Sequence, residues 1–112
     1  MNIDKRDENG VVILLPDGRL DSNTAPLLDS EIDSVNTHNG GHHLLIDFTK
    51  VEYISSAGLR VILKAVKERK TSPKSFAVSC LQDHVKEVFE ISGFNHYLVI
   101  HPDITSALTS FK

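Results

Sequence analysis

One cysteine, one methionine and no tryptophan occur in this chain of 112 residues, and aromatic residues make up only 6% of it. The lone Cys80 excludes an internal disulfide. At the end of the apolar segment Phe76-Ala77-Val78-Ser79-Cys80 it reads as a small buried hydrophobe, not a nucleophile. No run approaches the ~20 consecutive apolar residues of a membrane span. The polar opening MNIDKRDENG also has no apolar signal core, so a cytoplasmic chain without direct membrane insertion is expected. Positive charge is not in excess either: 12 Lys and Arg against 15 Asp and Glu give a net charge of -3, which argues against direct nucleic-acid binding. The one basic cluster, Lys64, Lys67, Arg69 and Lys70, reads as a solvated helix face. With no internal repeat, low-complexity tract or long linker, residues 1–112 are expected to form one domain, able to bury roughly two-thirds of its unfolded surface.

What is present is a clear order of elements. Ile3 to Asp7 and Val11 to Leu15 flank Asn9-Gly10, the signal of a tight antiparallel hairpin, and Pro16-Asp17-Gly18 is expected to end the second strand. Thr24, or Asn23 before it, caps a first helix whose apolar stripe is Ala25, Leu28, Ile32 and Val35, with a stop at Asn39-Gly40-Gly41 after His38. Leu44 to Phe48 is a strand apolar enough to be central. A helix follows from Ser56 to about Lys70 on the spacing of Leu59, Ile62, Leu63 and Val66. Then come a strand at Ser75 to Cys80, a helix at Asp83 to Ser92 closed by Gly93, and a strand at Tyr97 to Ile100. A last helix runs from Pro102 to about Ser110, its face formed by Ile104, Ala107, Leu108 and Phe111. Alternation of strand and helix from residue 42 calls for an α/β fold with a mostly parallel sheet of about five strands, an antiparallel start and about four helices.

The chemistry concentrates at Ile54-Ser55-Ser56-Ala57-Gly58-Leu59, where the central strand gives way to a helix. The first N–H groups of a helix lack intrahelical partners and carry the positive end of its dipole, so a phosphate on Ser55 or Ser56 would be well received. Capping accounts for one serine but not two, and Gly58 in the first turn costs about 1 kcal/mol relative to alanine. A partner surface docking closely there would supply the reason for the glycine.

The span DFTKVEYISSAGLRVIL resembles the signature of STAS domains, in particular the small bacterial anti-sigma-factor antagonists with an Asp-Ser-x-Gly-Leu phosphorylation loop after a central strand. GRLDSNTAPLL and VKEVFEISGFNHYLVIHPDITSAL are similar to the flanking parts of that family. The resemblance implies Ser56 as the phosphorylated serine with Ser55 as second candidate, and Gly58 and Leu59 as the Gly-Leu pair. It also implies Asp21 as the acidic residue near the site, and Asp47 and Thr49 as the supporting Asp-x-Thr that closes the strand. Asp21, Ser55, Ser56, Ala57, Gly58 and Leu59 would together meet the partner. Ser55 departs from the pattern, standing where many members carry aspartate. The mechanism implied is partner switching: the unphosphorylated chain binds an anti-sigma factor that is also a serine kinase with an ATP-binding fold, and so frees the sigma factor. Phosphorylation releases the chain and a PP2C-type phosphatase restores it. The chain itself would be no enzyme and would need no cofactor.

Other readings are weaker. A serine hydrolase needs a Gly-x-Ser-x-Gly elbow with a histidine and an acid in reach; Ile54 occupies the first glycine's place, and nothing in the spacing points to His84 or His96. His42-His43 lie on opposite faces of a strand with no third ligand at a recognisable spacing, and read as a solvated strand entrance, with no metal. Asp47 as a receiver-type phosphoacceptor lacks the acidic pair and the lysine of such sites. The alternative inside the same fold is a STAS regulatory or structural subunit of a signalling or lipid-transport complex without a sigma factor.

Overall fold

The computed structural model describes residues 1–38, 41–96 and 98–111. Strands β1 (Asn2–Glu8) and β2 (Val11–Leu20) form the expected hairpin, with Glu8 opposite Val11 across a two-residue turn. Asn9 and Gly10 take φ of 52° and 82°, the backbone that matches the twist of the flanking strands. Then follow α1 (Ala25–His38), β3 (His43–Asp47), β4 (Val51–Ile54), α2 (Ser56–Arg69), β5 (Phe76–Ser79) and α3 (Asp83–Ile91). A short 3-10 turn at Phe94–His96 leads to β6 (Val99–His101) and α4 (Ile104–Ser110). The expected stop signal Asn39-Gly40 and the expected strand start at Tyr97 lie outside the described residues.

The sheet order is β1-β2-β3-β5-β6, with β3 in the centre as expected, and β4 pairs with β2. Only the β1–β2 pairing is antiparallel. The α/β class and four helices stand as read, but the described residues form six strands where the sequence pattern gives about five.

Two corrections have one cause. The second strand does not stop at Leu15: β2 continues through Pro16 to Leu20. Its ladder with β3 ends at Leu14 and its ladder with β4 begins at Gly18, so Pro16 falls where only β1 flanks the strand. A proline is tolerated where no second neighbour needs its N–H. The register shifts between Gly18 and Arg19, with Gly18 at φ 119°, and β2 thereby serves two parallel partners in succession. The second of these is β4, whose four residues are too few to show a period.

Alternation along the strands divides the interior in two. Val12, Leu14, Leu44, Ile46 and Val78 pack with Leu28, Ile32 and Val35 of α1, Ile62 and Ala65 of α2, and Val85 and Phe89 of α3. Val11, Ile13, Leu45 and Ala77 face the other side, under Ala107 and the half-buried Ile104, Leu108 and Phe111. The apolar stripes expected for α1 and α4 are thus the faces that the helices bury.

Several single residues depart from expectation. Cys80 is half-buried, not buried, and ends β5 at φ 62° with its N–H donated to the His101 carbonyl at 3.1 Å. Asp103, one residue after Pro102, caps α4: its carboxylate accepts from the Ser106 N–H at 2.7 Å, and that bond holds its pKa below the ordinary value. The histidine pair is not simply solvated. His43 Nδ1 accepts from the Ser75 N–H at 2.9 Å and its ring stacks on Phe111, while His42 Nε2 lies 3.5 Å from Asp7. The basic cluster of α2 is not a uniform solvated face either, because Arg69 is buried and Lys64 bridges to Asp29 and Asp33 of α1 at 2.9 and 3.3 Å.

Candidate functional site

The long β2 and the short β4 end together. Leu20 pairs with Ile54, and the Leu20 carbonyl accepts the Ser55 N–H at 2.9 Å, which fixes where the chain leaves the sheet. Ser55 is extended, at φ -100° and ψ 177°; its Oγ accepts from the Gly58 N–H at 3.5 Å and its carbonyl from the Leu59 N–H at 2.9 Å. It is therefore the N-cap of α2. Ser56 opens the helix, is exposed, and its hydroxyl makes no hydrogen bond to the described residues. The two serines divide the work: one caps and the other is presented. The first turn of α2 holds no acidic residue, so no carboxylate of the helix itself offsets the positive end of its dipole.

Gly58 is the main correction at the site. It is buried, and a Cβ there would sit 2.8 Å from Ile54 Cγ1, 2.8 Å from Leu20 Cγ and 3.0 Å from the Leu20 carbonyl oxygen. The close backbone approach that the glycine permits is therefore internal, between α2 and the end of β2, and no docked partner is needed to explain it. Leu59 is half-buried against the main core, as is Ala57.

Asp21 directly follows Leu20, whose carbonyl accepts the Ser55 N–H where β2 and β4 end. Its Oδ1 accepts from the N–H groups of Asn23 at 3.0 Å and Thr24 at 3.2 Å, with the Thr24 hydroxyl oxygen 3.3 Å away. The Thr24 hydroxyl donates to the Arg19 carbonyl at 2.7 Å instead of capping α1 as expected. The Asn23 bond, followed by those from Thr24, lowers the Asp21 pKa below 3.8. Because the folded value is the lower one, this stabilisation is present above 3.8 and is lost as pH falls through the folded pKa. Asp21→Asn, which keeps the acceptor and removes the charge, should be less stable than the parent near neutral pH, converge with it in acid, and so flatten the acid limb of a urea-midpoint curve. An unaltered acid limb would mean that these bonds do not persist in solution.

Asp47 and Thr49 act one strand further away. Asp47 Oδ1 accepts the Thr49 N–H at 2.9 Å and its hydroxyl at 2.6 Å, and Gln82 Nε2 donates to the Thr49 carbonyl at 2.9 Å. They shape the turn that launches β4, and they line a cavity with Asp4, Arg6, Asp17 and Lys50, not with the serines. A shallow groove beside Ser56 runs between α1 and α2, lined by Ser22, Pro26, Asp29, Ala57, Arg60 and Lys64. Arg60 and the Lys64 bridge were not singled out from sequence, because no pattern in one chain says that α1 and α2 lie side by side. His84 and His96 are exposed, and neither is hydrogen-bonded to Ser56. Among the described residues no three His, Cys, Asp or Glu are placed to hold a metal, and no helix is long and apolar enough to cross a membrane.

These features define a class: an α/β module that offers an accessible hydroxyl at a helix start, beside a groove between two helices. The chain belongs to the STAS domain family, whose family model matches residues 2–107. BtrV of Bordetella bronchiseptica, which bears the name of an anti-sigma factor antagonist, is 33% identical over 112 residues, spanning 100% of this chain and 94% of that protein. The crystal structure of an anti-sigma factor antagonist from Mycobacterium paratuberculosis superposes with a TM-score of 0.89 at 23% identity, covering 98% and 92% of the two chains. The Bacillus cell fate determinant SpoIIAA in its phosphorylated form gives 0.74 at 14% identity, covering 99% and 100%. At those identities the two structures establish the shared fold.

Proposed function

We propose that this chain is a cytoplasmic anti-sigma-factor antagonist that works by partner switching and performs no chemistry of its own. Unphosphorylated, it binds an anti-sigma factor with an ATP-binding serine kinase fold and frees the sigma factor. Phosphorylation of Ser56 releases it, and a PP2C-type phosphatase returns it to the binding form. The observation that carries this reading is the exposed, unbonded Ser56 hydroxyl next to a serine already used as the cap. The name borne by the 33% identical relative supports it.

The physical switch is charge placed in a contact. Ala57 and the apolar part of the groove suit a docked surface that Ser56 borders. A phosphate adds close to two negative charges there, and desolvating or opposing them costs enough to weaken affinity by about 100-fold or more. Baits of the parent chain, Ser56→Ala and Ser56→Asp, incubated in lysate of the source cell, test this by mass spectrometry of the captured proteins and of the bait. Capture of an ATP-binding kinase by the first two but not the third, with phosphate on Ser56 of the parent, is expected. Equal capture by all three without phosphate would reduce Ser56 to a helix-start residue. It would favour the subunit of a signalling or lipid-transport complex instead.

A further inference from the structure

Arg60 stands four residues after Ser56 on α2, and side chains at that spacing are neighbours on one helix face. It is exposed, and among the described residues it has no hydrogen bond or ion pair. The next cation along that groove, Lys64, is held by Asp29 and Asp33 and is not available in the same way. The carboxylate on the groove's other wall, Asp29, is held by Lys64, and Asp21, just before α1, is turned to the N–H groups of Asn23 and Thr24. Ser55 brings no charge, and the first turn of α2 holds no acidic residue. The charge beside Ser56 on its own helix is thus a guanidinium without a counter-ion.

Resting on the reading of Ser56 as the phosphoacceptor, we propose that Arg60 is the positioning residue for its phosphate, clamping it within the same chain. A guanidinium meets two phosphate oxygens with two parallel N–H donors, a geometry a lysine cannot reproduce. The acidic partner precedes the basic one by four residues, which is the favourable orientation on a helix. The clamp changes what phosphorylation does. It adds negative charge at the docking edge, and it also withdraws Arg60 from the groove, where the unphosphorylated form leaves that cation facing outward for an acidic group of the partner. The phosphorylated state is then a structured alternative in which both groups are engaged with each other.

The test uses the full chain with phosphoserine inserted at position 56 during synthesis, followed by phosphorus NMR titration. The second ionisation of the phosphate, ordinarily at a pKa of about 6, is expected to fall roughly 0.15–0.4 unit lower in the parent than in Arg60→Gln at low salt. Arg60→Lys should lie between them, and the difference should shrink in about 1 M salt. Equal midpoints in parent and Arg60→Gln, or a difference indifferent to salt, would overturn the clamp. A second readout needs no variant: the Arg60 Nε–H resonance should move with the phosphate titration, and a stationary resonance would also overturn it. Because the phosphate is installed without a kinase, this result is independent of whether Ser56 is modified in the cell.

Discussion

Gly58→Leu should leave the chain unfolded, or close to it, at 25 °C. Even the first added carbon meets Ile54 and Leu20 side-chain atoms at 2.8 Å and the Leu20 carbonyl oxygen at 3.0 Å. Leu20 and Ile54 are themselves 0% and 3% exposed, so they have core on their other sides and little room to give. The carbonyl is also committed to the Ser55 N–H, and moving it would release the bond that sets the start of α2. Overpacking of a core by one or two methylenes costs about 1–3 kcal/mol, and a whole leucine side chain costs more, against a total stability of roughly 5–15 kcal/mol for a domain. Gly58→Ala is the graded control. It gains up to about 1 kcal/mol of helix propensity and pays the contact with three atoms, so a net loss of about 1–2 kcal/mol is expected. Circular dichroism with urea titration of both variants measures this. A Gly58→Leu chain of parental stability that fails only to bind its partner would restore the docking role that the sequence suggests for this glycine.

That position shows what a single chain can and cannot reveal. A glycine in the first turn of a helix is visible in sequence as an anomaly that needs a close neighbour. Which neighbour it has depends on β2 continuing past Pro16 to Leu20, and local rules argue against that continuation. The same long-range fact hides β4, which exists because β2 offers it an edge. By contrast, the hairpin turn, the stripes of α1 and α4, the centrality of β3 and the serine at the head of α2 were legible, since each rests on local chemistry or a period. Within the site, the pattern of two serines was readable, but not their division into cap and presented hydroxyl, which follows from the backbone of Ser55. Thr24 illustrates the opposite failure. It is a good capping residue, but its hydroxyl is drawn to the Arg19 carbonyl because the chain folds back there.

The removal of Arg69 is the second large effect expected, at the other end of α2. This residue is 8% exposed, yet among the described residues no carboxylate pairs with it. Its Nε and one terminal nitrogen donate to Asn36 Oδ1 at 3.2 and 2.9 Å, and the other terminal nitrogen donates to the His42 carbonyl at 2.7 Å. One guanidinium thus ties the last turns of α1 and α2 to the entrance of β3. Burial pulls its pKa below the ordinary arginine value, but an arginine remains charged in proteins. Hydrogen bonds from a charged donor are worth about 1.5–3 kcal/mol, and truncation strands two acceptors, so Arg69→Ala should cost ~3 kcal/mol, roughly 15 °C in Tm. Arg69→Lys should lose nearly as much, because one ammonium cannot span both acceptors. Arg69→Met, which keeps most of the volume and buries no charge, should lose only about 1–2 kcal/mol. Urea unfolding of the three variants gives the order, and an Arg69→Ala loss below about 1 kcal/mol would remove this network from the fold's main supports. The 14-residue helix α2 places Arg69 about 20 Å from Ser56. Folded Arg69→Met should therefore retain the partner binding proposed for this chain and its proposed loss on Ser56 phosphorylation, because the Ser56 end of α2 is held separately by Gly58 and the Leu20 carbonyl.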